Sequence, residues 1–480
     1  MNFKFKTAPF KHQLDNINRF RDAKYAAIFW DMGLGKTKFA IDFLRLKCYQ
    51  NKRKLSCLII APVATLPGWK KELGLHSALI EDAEYLTGSK AQKIKKLKLK
   101  SKIYIVNYES LKSLWQYLAV PWDMLIIDES HKIKGTDTQR SKLVVQLSGL
   151  ATYRILLSGT PILNNPMDIF NQYLALDRGA TFGDNFFHFR NIYFEDVNAR
   201  WKMKYPEKYF PKFEPIKGVY DMLITKIRGN ASIIQDKNEC LDLPPAIYTT
   251  MELEMTKEME KAYYDMAELM IAEIDAKTAE GWPEATVAST AVTKLIRLRQ
   301  ITSGFMVSDN DGKKIRLKSN PKLDAIKEFM ETIGSEDKVV IWACFHEDID
   351  MLVEDLSRYG VAQIHGRVSN KQEELKKFRD NKKCRVCVGH PKSGGTGINE
   401  LVGAKFMIYY SQDYSLESRL QSEARVHRKG SEIHDKITYV DLVYKETIDG
   451  VIIDNLKNKK DMSAEILVKT IKEVRDSVGK

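Results

Sequence analysis

Short apolar runs that stop abruptly in polar or charged residues recur along the first part of this chain. Ala26 to Trp30, Leu58 to Ala61, Ile103 to Val106 and Met124 to Ile127 are each the length of one buried strand. After the first of them, Phe39, Ala40, Phe43 and Leu44 recur at helical spacing. Strand runs separated by helical stretches predict a parallel sheet flanked by helices. The same pattern returns later, in Val339 to Phe345, Ala362 to His365, Arg385 to Val388, Phe406 to Tyr410 and Ile437 to Leu442. A second α/β layer is expected there, with the two sheets facing a shared cleft.

The intervening stretch reads as helical. Phe182, Phe186, Phe187, Phe189, Tyr193 and Phe194 are expected to build a small helical core, with base stacking on them the alternative. Leu243-Pro244-Pro245 is the candidate junction. Beyond it Met259, Tyr263, Met266 and Met270 form a core-facing stripe at helical spacing, and Trp282-Pro283 ends that helix.

Composition adds a partner class. The 480 residues are 44% hydrophobic and 29% charged, enough for more than one core. Lysine and arginine number 76 against 63 acidic residues, a net charge of +13, which favours a polyanionic partner. Lys90 to Lys102 is dense in lysine but interrupted by Ile94 and Leu97, so a solvated amphipathic helix and a nucleic-acid contact both fit. No stretch has the apolar length of a membrane span, and the first residues lack a signal-peptide core, so a cytoplasmic protein is expected. Six cysteines are scattered in apolar surroundings; Cys384 and Cys387 form a C-x-x-C without a second pair, a weak pattern for zinc.

The candidate chemistry starts at Asp31-Met32-Gly33-Leu34-Gly35-Lys36-Thr37, between the first strand run and the first helical stretch. Glycines let the backbone approach a polyphosphate, and the following helix N-terminus favours the anion. Lys36 would reach the β and γ phosphates of ATP, and the Thr37 hydroxyl would take magnesium. The strict phosphate-loop pattern has glycine where this chain has Trp30. Gln13, upstream, carries an amide suited to an adenine edge, or is a surface glutamine. At the end of the Met124 to Ile127 run stand Asp128-Glu129-Ser130-His131. Ligands of parallel sheets sit beyond the carboxyl ends of strands, which places both carboxylates beside the cradle. Asp128 would hold magnesium through water and Glu129 would orient and deprotonate the attacking water.

Those two segments, with Leu157-Ser158-Gly159-Thr160-Pro161-Ile162-Leu163-Asn164-Asn165, resemble the Swi/Snf family of helicase superfamily two. The resemblance continues in order through Leu298 to Ile301, Val340 to Phe345, Ser393 to Asn399 and Gln421 to Gly430. It implies an α/β fold of two RecA-like lobes with helical insertions: a first lobe at 1–166, a helical protrusion and junction at 167–245, a second protrusion at 246–320, and a second lobe at 321–480. It also implies nucleotide contacts from Gly395 and Gln421, and coupling of hydrolysis to movement through Ser130, His131, Ser158, Gly159 and Thr160. Arg425 and Arg428, three apart on an expected helix, would reach the γ phosphate, with Arg428 as the arginine finger. The family has a pair of arginines ahead of its leucine-proline-proline run where this chain has Ile234-Gln235.

A DNA-stimulated ATPase that uses ATP and Mg2+ to track along duplex DNA is therefore expected, as a monomer of compact viral or bacterial type. It would work in the cytoplasm, associated with the nucleoid or in the host cytoplasm. A strand-separating helicase and a nucleotide-switched DNA-binding scaffold are the alternatives, with RNA a weaker substrate.

Overall fold

The computed structural model describes residues 3–99, 101–159, 161–162, 165–200, 209–229, 232–280, 284–308, 311–393 and 400–457. They fall into two compact units that divide between Asp242 and Leu243.

The first unit is built on seven strands: β1 (Tyr25–Trp30), β2 (Cys57–Ala61), β3 (Ala83–Tyr85), β4 (Ile103–Asn107), β5 (Trp122–Asp128), β6 (Ala151–Ser158) and, after a short hairpin of β7 (Phe194–Asp196) and β8 (Phe213–Pro215), β9 (Ser232–Gln235). They lie in the order β3-β4-β2-β5-β6-β1-β9, and every pairing is parallel. A sheet covered on both faces needs strands that are apolar throughout. The alternation shows which side chain goes where: Ala27, Phe29, Leu58, Ile60, Leu125 and Ile127 enter one core, while Ala26, Ile28, Trp30, Ile59, Met124 and Ile126 enter the other. Helix α1 (Lys11–Arg19) precedes the sheet, α2 (Lys36–Gln50) follows β1, α3 (Leu66–His76) follows β2, and α4 (Lys90–Leu97) lies between β3 and β4.

The lysine-dense stretch is α4, opened by Ser89, whose side chain accepts from the Gln92 N–H. Ile94 and Leu97 pack on the core, and Lys96 Nζ donates to Tyr85 O at 2.6 Å, so this is an amphipathic surface helix.

The second unit contains β10 (Ala246–Leu253), a two-stranded hairpin of β11 (Phe305–Val307) and β12 (Lys314–Arg316), then β13 (Val339–Trp342), β14 (Val361–Ile364), β15 (Val386–Gly389), β16 (Phe406–Tyr409) and β17 (Ile437–Tyr444). Six of these form a second all-parallel sheet, β10-β17-β16-β13-β15-β14. Val339 and Ile341 enter one core, Val340 and Trp342 the other. Helices Lys257–Ala279 and Glu284–Thr302 pack with Ile448–Lys457 in a further cluster. In it or beside it Met259, Tyr263 and Met270 are buried, as their spacing predicts.

Two expectations are amended. The stretch between the sheets is not helical throughout: β9 joins the first sheet as an edge strand beside β1, and β10 joins the second as an edge strand beside β17. The aromatics at 182–194 do not make a separate core; Phe182, Phe189, Tyr193 and Phe194 extend one face of the first sheet, and Phe187 stays 63% exposed. Cys384 and Cys387 are buried thiols, and among the described residues no group of three or more His, Cys, Asp or Glu side chains is placed to hold a metal ion. No described helix is long and apolar enough to cross a membrane. Trp282 and Pro283 lie outside the described residues.

The second unit is pinned by a buried ion pair, Lys322 Nζ to Asp449 Oδ2 at 2.6 Å, with the Thr302 hydroxyl donating to Asp449 Oδ1 at 2.9 Å. Removing one partner strands the other charge away from water. Lys322→Met should therefore cost about 3–5 kcal/mol in urea denaturation, and the double variant Lys322→Met/Asp449→Leu should recover much of that loss; equal losses would show that the pair's charge is not what matters.

Candidate nucleotide site

Strand order brings the predicted residues together. Strands β5, β6 and β1 are consecutive neighbours in the sheet, and their carboxyl ends carry Asp128, Ser158 and Trp30. Three segments far apart in sequence thus open onto one edge, where ligands of parallel sheets bind.

The cradle leaves β1 at Asp31 and re-enters helix at Lys36. Gly33 and Gly35 take φ values of 93° and 76°, a left-handed backbone that side chains rarely adopt. At Gly35 a Cβ would also meet Gln13 Nε2 at 2.3 Å. Gln13 is neither a surface residue nor a free amide: it is 1% exposed, its Oε1 accepts the Phe10 N–H, and its Nε2 donates to Leu34 O and Gly35 O. His12 Nε2 also contacts Leu34 O at 2.9 Å, so α1 braces the loop from behind. Trp30 is fully buried, edge-on to His12 and Phe39, and a glycine there would leave that core unfilled. Asp31 Oδ2 accepts the Lys237 N–H, and Asp31 N–H donates to Gln235 O, which anchors β9 and the residues after it to the cradle.

Lys36 Nζ donates to Trp30 O at 2.8 Å and Asp31 O at 3.3 Å. Burial lowers its pKa, against the opposing pull of Glu129, Asp128 and Asp31. Asp128 is pushed up to about 6, first by burial and then by Glu129 beside it, while Trp69, Lys36 and Thr65 pull the other way. Glu129 takes a left-handed backbone, φ 52°, which costs a residue with a side chain about 1–2 kcal/mol. Its Oε2 is buried without a hydrogen bond, with His131 Nδ1 3.4 Å away. An ionisable oxygen left in that condition, at the carboxyl end of a parallel strand, suits a ligand site. Thr37 stands in the first turn of α2. A hydroxyl and two carboxylates are hard oxygen donors of the kind magnesium takes, so the residues present fit that ion.

The β6 end closes the group. A Cβ on Gly159 would lie 3.4 Å from Met32 Cγ and 3.7 Å from Lys36 Nζ. Ser158 Oγ is 3.2 Å from His131 Nδ1, and Ser130 Oγ donates to Gln172 Oε1, whose amide in turn donates to Pro161 O and Asp168 O. Of these, Gly159 lies beside the cradle residues Met32 and Lys36, His131 faces Ser158, and Ser130 is bonded to Gln172. Thr160 lies outside the described residues.

The second unit holds the remaining candidates. Gln421 and Arg425 are on helix Leu416–Val426, Gln421 Nε2 donating to Glu417 Oε1. Arg428 is not on that helix. The helix is capped at His427, whose backbone has left the helical conformation and whose Nε2 is 2.8 Å from Pro244 O, so Arg428 lies beyond its end. Both arginines are half-buried. Arg419, which sequence reasoning passed over, lies 3.6 Å over the Tyr409 ring and is paired with Glu423 and Asp441, a structural arginine. Gly395 lies outside the described residues.

Residues 23–304 match the SNF2-related domain, and residues 321–430 match the helicase conserved C-terminal domain. The chain belongs to the SNF2-related family. As a member it is, in general terms, an ATP-dependent, DNA-remodelling motor, and ATP hydrolysis is its chemistry. It is 23% identical to putative protein p41 of Acyrthosiphon pisum secondary endosymbiont phage 1, over 98% of this chain and 99% of that one. It is 25% identical to a CHD3-type chromatin-remodeling factor of Arabidopsis thaliana, over 93% of this chain but 36% of the relative. It is also 25% identical to an uncharacterized ATP-dependent helicase of Mycoplasma genitalium, over 96% of this chain and 42% of the relative. Among solved structures, the Sulfolobus solfataricus SWI2/SNF2 ATPase core in complex with dsDNA aligns over 99% of this chain and 96% of that one, at 21% identity and a TM-score of 0.45.

Because the fold holds Asp128 where its neutral form is favoured, stability from this group is full below its unfolded pKa and is lost as pH rises through about 6. Asp128→Asn should raise the melting temperature of the nucleotide-free chain at pH 8, by about 2–4 °C for each kcal/mol relieved. The same variant should lose the further rise that Mg2+ and nucleotide give the parent chain. A variant that melts lower and still responds to Mg2+ and nucleotide would contradict this placement.

Proposed function

We propose that the chain is a DNA-stimulated ATPase that tracks along duplex DNA and remodels DNA or what is bound to it. The observation that carries this reading is the convergence of Lys36, Asp128 and Glu129 beyond the ends of β1 and β5, the two strands that flank β6. An ammonium and two carboxylates held at low hydration suit a metal-bound polyphosphate with a water to activate.

In this reading the backbone of Asp31 to Gly35 wraps the phosphates and Lys36 neutralises the β and γ groups. Thr37 and Asp128 hold magnesium, and a bound magnesium ion would polarise the terminal phosphoryl group. Glu129 takes the proton of the attacking water, and its unbonded Oε2 is the atom suited to that task. Gln13 sets the cradle and, with its amide released, contacts the base. Ser130, His131, Ser158, Gly159 and Thr160 relay the state of the phosphate to the rest of the first unit. From the second unit Gly395 and Gln421 contact nucleotide, Arg425 contacts phosphate and Arg428 acts as the finger. Nucleotide-driven closure of the two units then moves DNA, and the division into lobes at 1–166 and 321–480 with protrusions at 167–245 and 246–320 belongs to this reading. The net charge of +13 supports a polyanionic track. A monomer suffices for the stroke.

Lys36→Ala should lose nucleotide binding and turnover together, whereas Glu129→Gln should bind ATP yet stall, as measured by equilibrium binding of a fluorescent ATP analogue beside steady-state turnover. Equal binding losses would contradict the roles. Arg428→Ala should lower turnover about a thousandfold with binding retained, and a loss of only a few fold would demote it.

Turnover titrated with duplex, single-stranded and branched DNA and with RNA tests the substrate. Duplex should stimulate most, with half-saturation rising steeply with salt. Stimulation by RNA alone, or rapid unwinding of blunt duplex alongside inactivity in triplex displacement, would overturn the proposal.

A further inference from the structure

Asp128 is held by more than its own strand. The indole Nε1 of Trp69 donates to Asp128 Oδ2 at 2.8 Å, and both residues are buried. Trp69 belongs to the core-facing stripe Leu66, Trp69, Leu73 and His76 of α3, the helix that follows β2, and β2 is the neighbour of β5. From just past the next strand over, β4, the Tyr108 hydroxyl donates to the backbone carbonyl of Asp128 at 2.6 Å. Side chain and main chain of one carboxylate residue are thus fixed from helix α3, after β2, and from the turn after β4.

This pairing is not what any buried indole does by default. Trp30 Nε1 and Trp342 Nε1 are buried without a hydrogen bond, and Trp122 Nε1 donates to a backbone carbonyl one turn back. Trp69 alone among these four reaches a carboxylate. An indole N–H is a single donor with no acceptor capacity. It therefore occupies one oxygen of Asp128 in one direction and stabilises the ionised form, with the Thr65 side chain a second hydrogen-bond partner of the same carboxylate. Partners behind a metal-binding carboxylate set its orientation and commonly govern metal affinity by about 10–100-fold.

We propose that Trp69 is a positioning residue for the magnesium site, aiming Asp128 through the indole N–H and tying α3 to the nucleotide-bound metal. This rests on the reading of Asp128 as a metal-holding carboxylate. The predicted signature is specific: metal affinity falls while nucleotide affinity without metal does not. Loss of ring packing alone would move both, or neither.

The test measures Mn2+ binding by electron paramagnetic resonance in the ADP complex of the full chain, and ADP binding in EDTA, for the parent and Trp69→Phe. About tenfold weaker Mn2+ binding with metal-free ADP binding within twofold of the parent is expected. Unchanged Mn2+ affinity, or equal losses in both measurements, overturns the proposal. If the parent itself binds no Mn2+ with ADP, the reading of the site fails and this inference with it, an outcome distinct from failure of Trp69 alone. Should Trp69→Phe not fold, 15N-tryptophan spectra of the parent and Asp128→Asn decide. One indole N–H should shift upfield in Asp128→Asn and respond to Mg2+ with ADP in the parent; no indole resonance answering to both overturns the proposal.

Discussion

Two adjacent carboxylates and an ammonium group are held out of bulk water at the edge of a parallel sheet, and the first unit is organised around keeping them there. Burying Asp128 is unfavourable to its ionised form, and Glu129 beside it makes it more so, which pushes the carboxyl up to about 6. Lys36 relieves part of that strain, and its own burial limits how much. The remainder is left for a ligand that brings positive charge to the carboxylates and negative charge to the lysine. A metal-bound polyphosphate is such a ligand.

The surrounding sequence serves this arrangement by making its walls rigid. Gly33 and Gly35 adopt the left-handed backbone the loop requires, Gln13 and His12 brace that loop from α1, and Trp30 fills the core behind it. Trp69 and Tyr108 hold Asp128 from the side of β2 and β4. The second unit is stiffened differently, by buried ion pairs. Lys322 with Asp449 ties two helices together, and Arg419 with Asp441 fixes the helix that carries Gln421 and Arg425 to strand β17.

Much of this could be read from the residues, and the reasons are physical. Apolar runs that end in glycines or carboxylates mark buried parallel strands with chemistry at their ends, so the cradle and the Asp128-Glu129 pair were visible. That β6 lies between β5 and β1 depends on pairing across long sequence distances and has no local sign. Strands β9 and β10 escaped because edge strands need no continuous apolar run; β9 has four residues and β10 leaves Ile247, Tyr248 and Thr249 exposed. Arg428 looked helical because its spacing from Arg425 is one turn, while the helix ends at His427, whose contact with Pro244 is tertiary. Trp69 carries no sign of its own in the sequence, because its ring is core and only its N–H reaches Asp128.

The central claim is that nucleotide binds where these charges converge, at the carboxyl ends of β1, β5 and β6. Hydrogen–deuterium exchange of the full chain, with and without Mg2+ and a slowly hydrolysed ATP analogue, tests it most directly. The account predicts slowed amide exchange across Asp31 to Lys38 and across Ile127 to His131. Saturating analogue that leaves both segments unprotected while shielding amides elsewhere would contradict it.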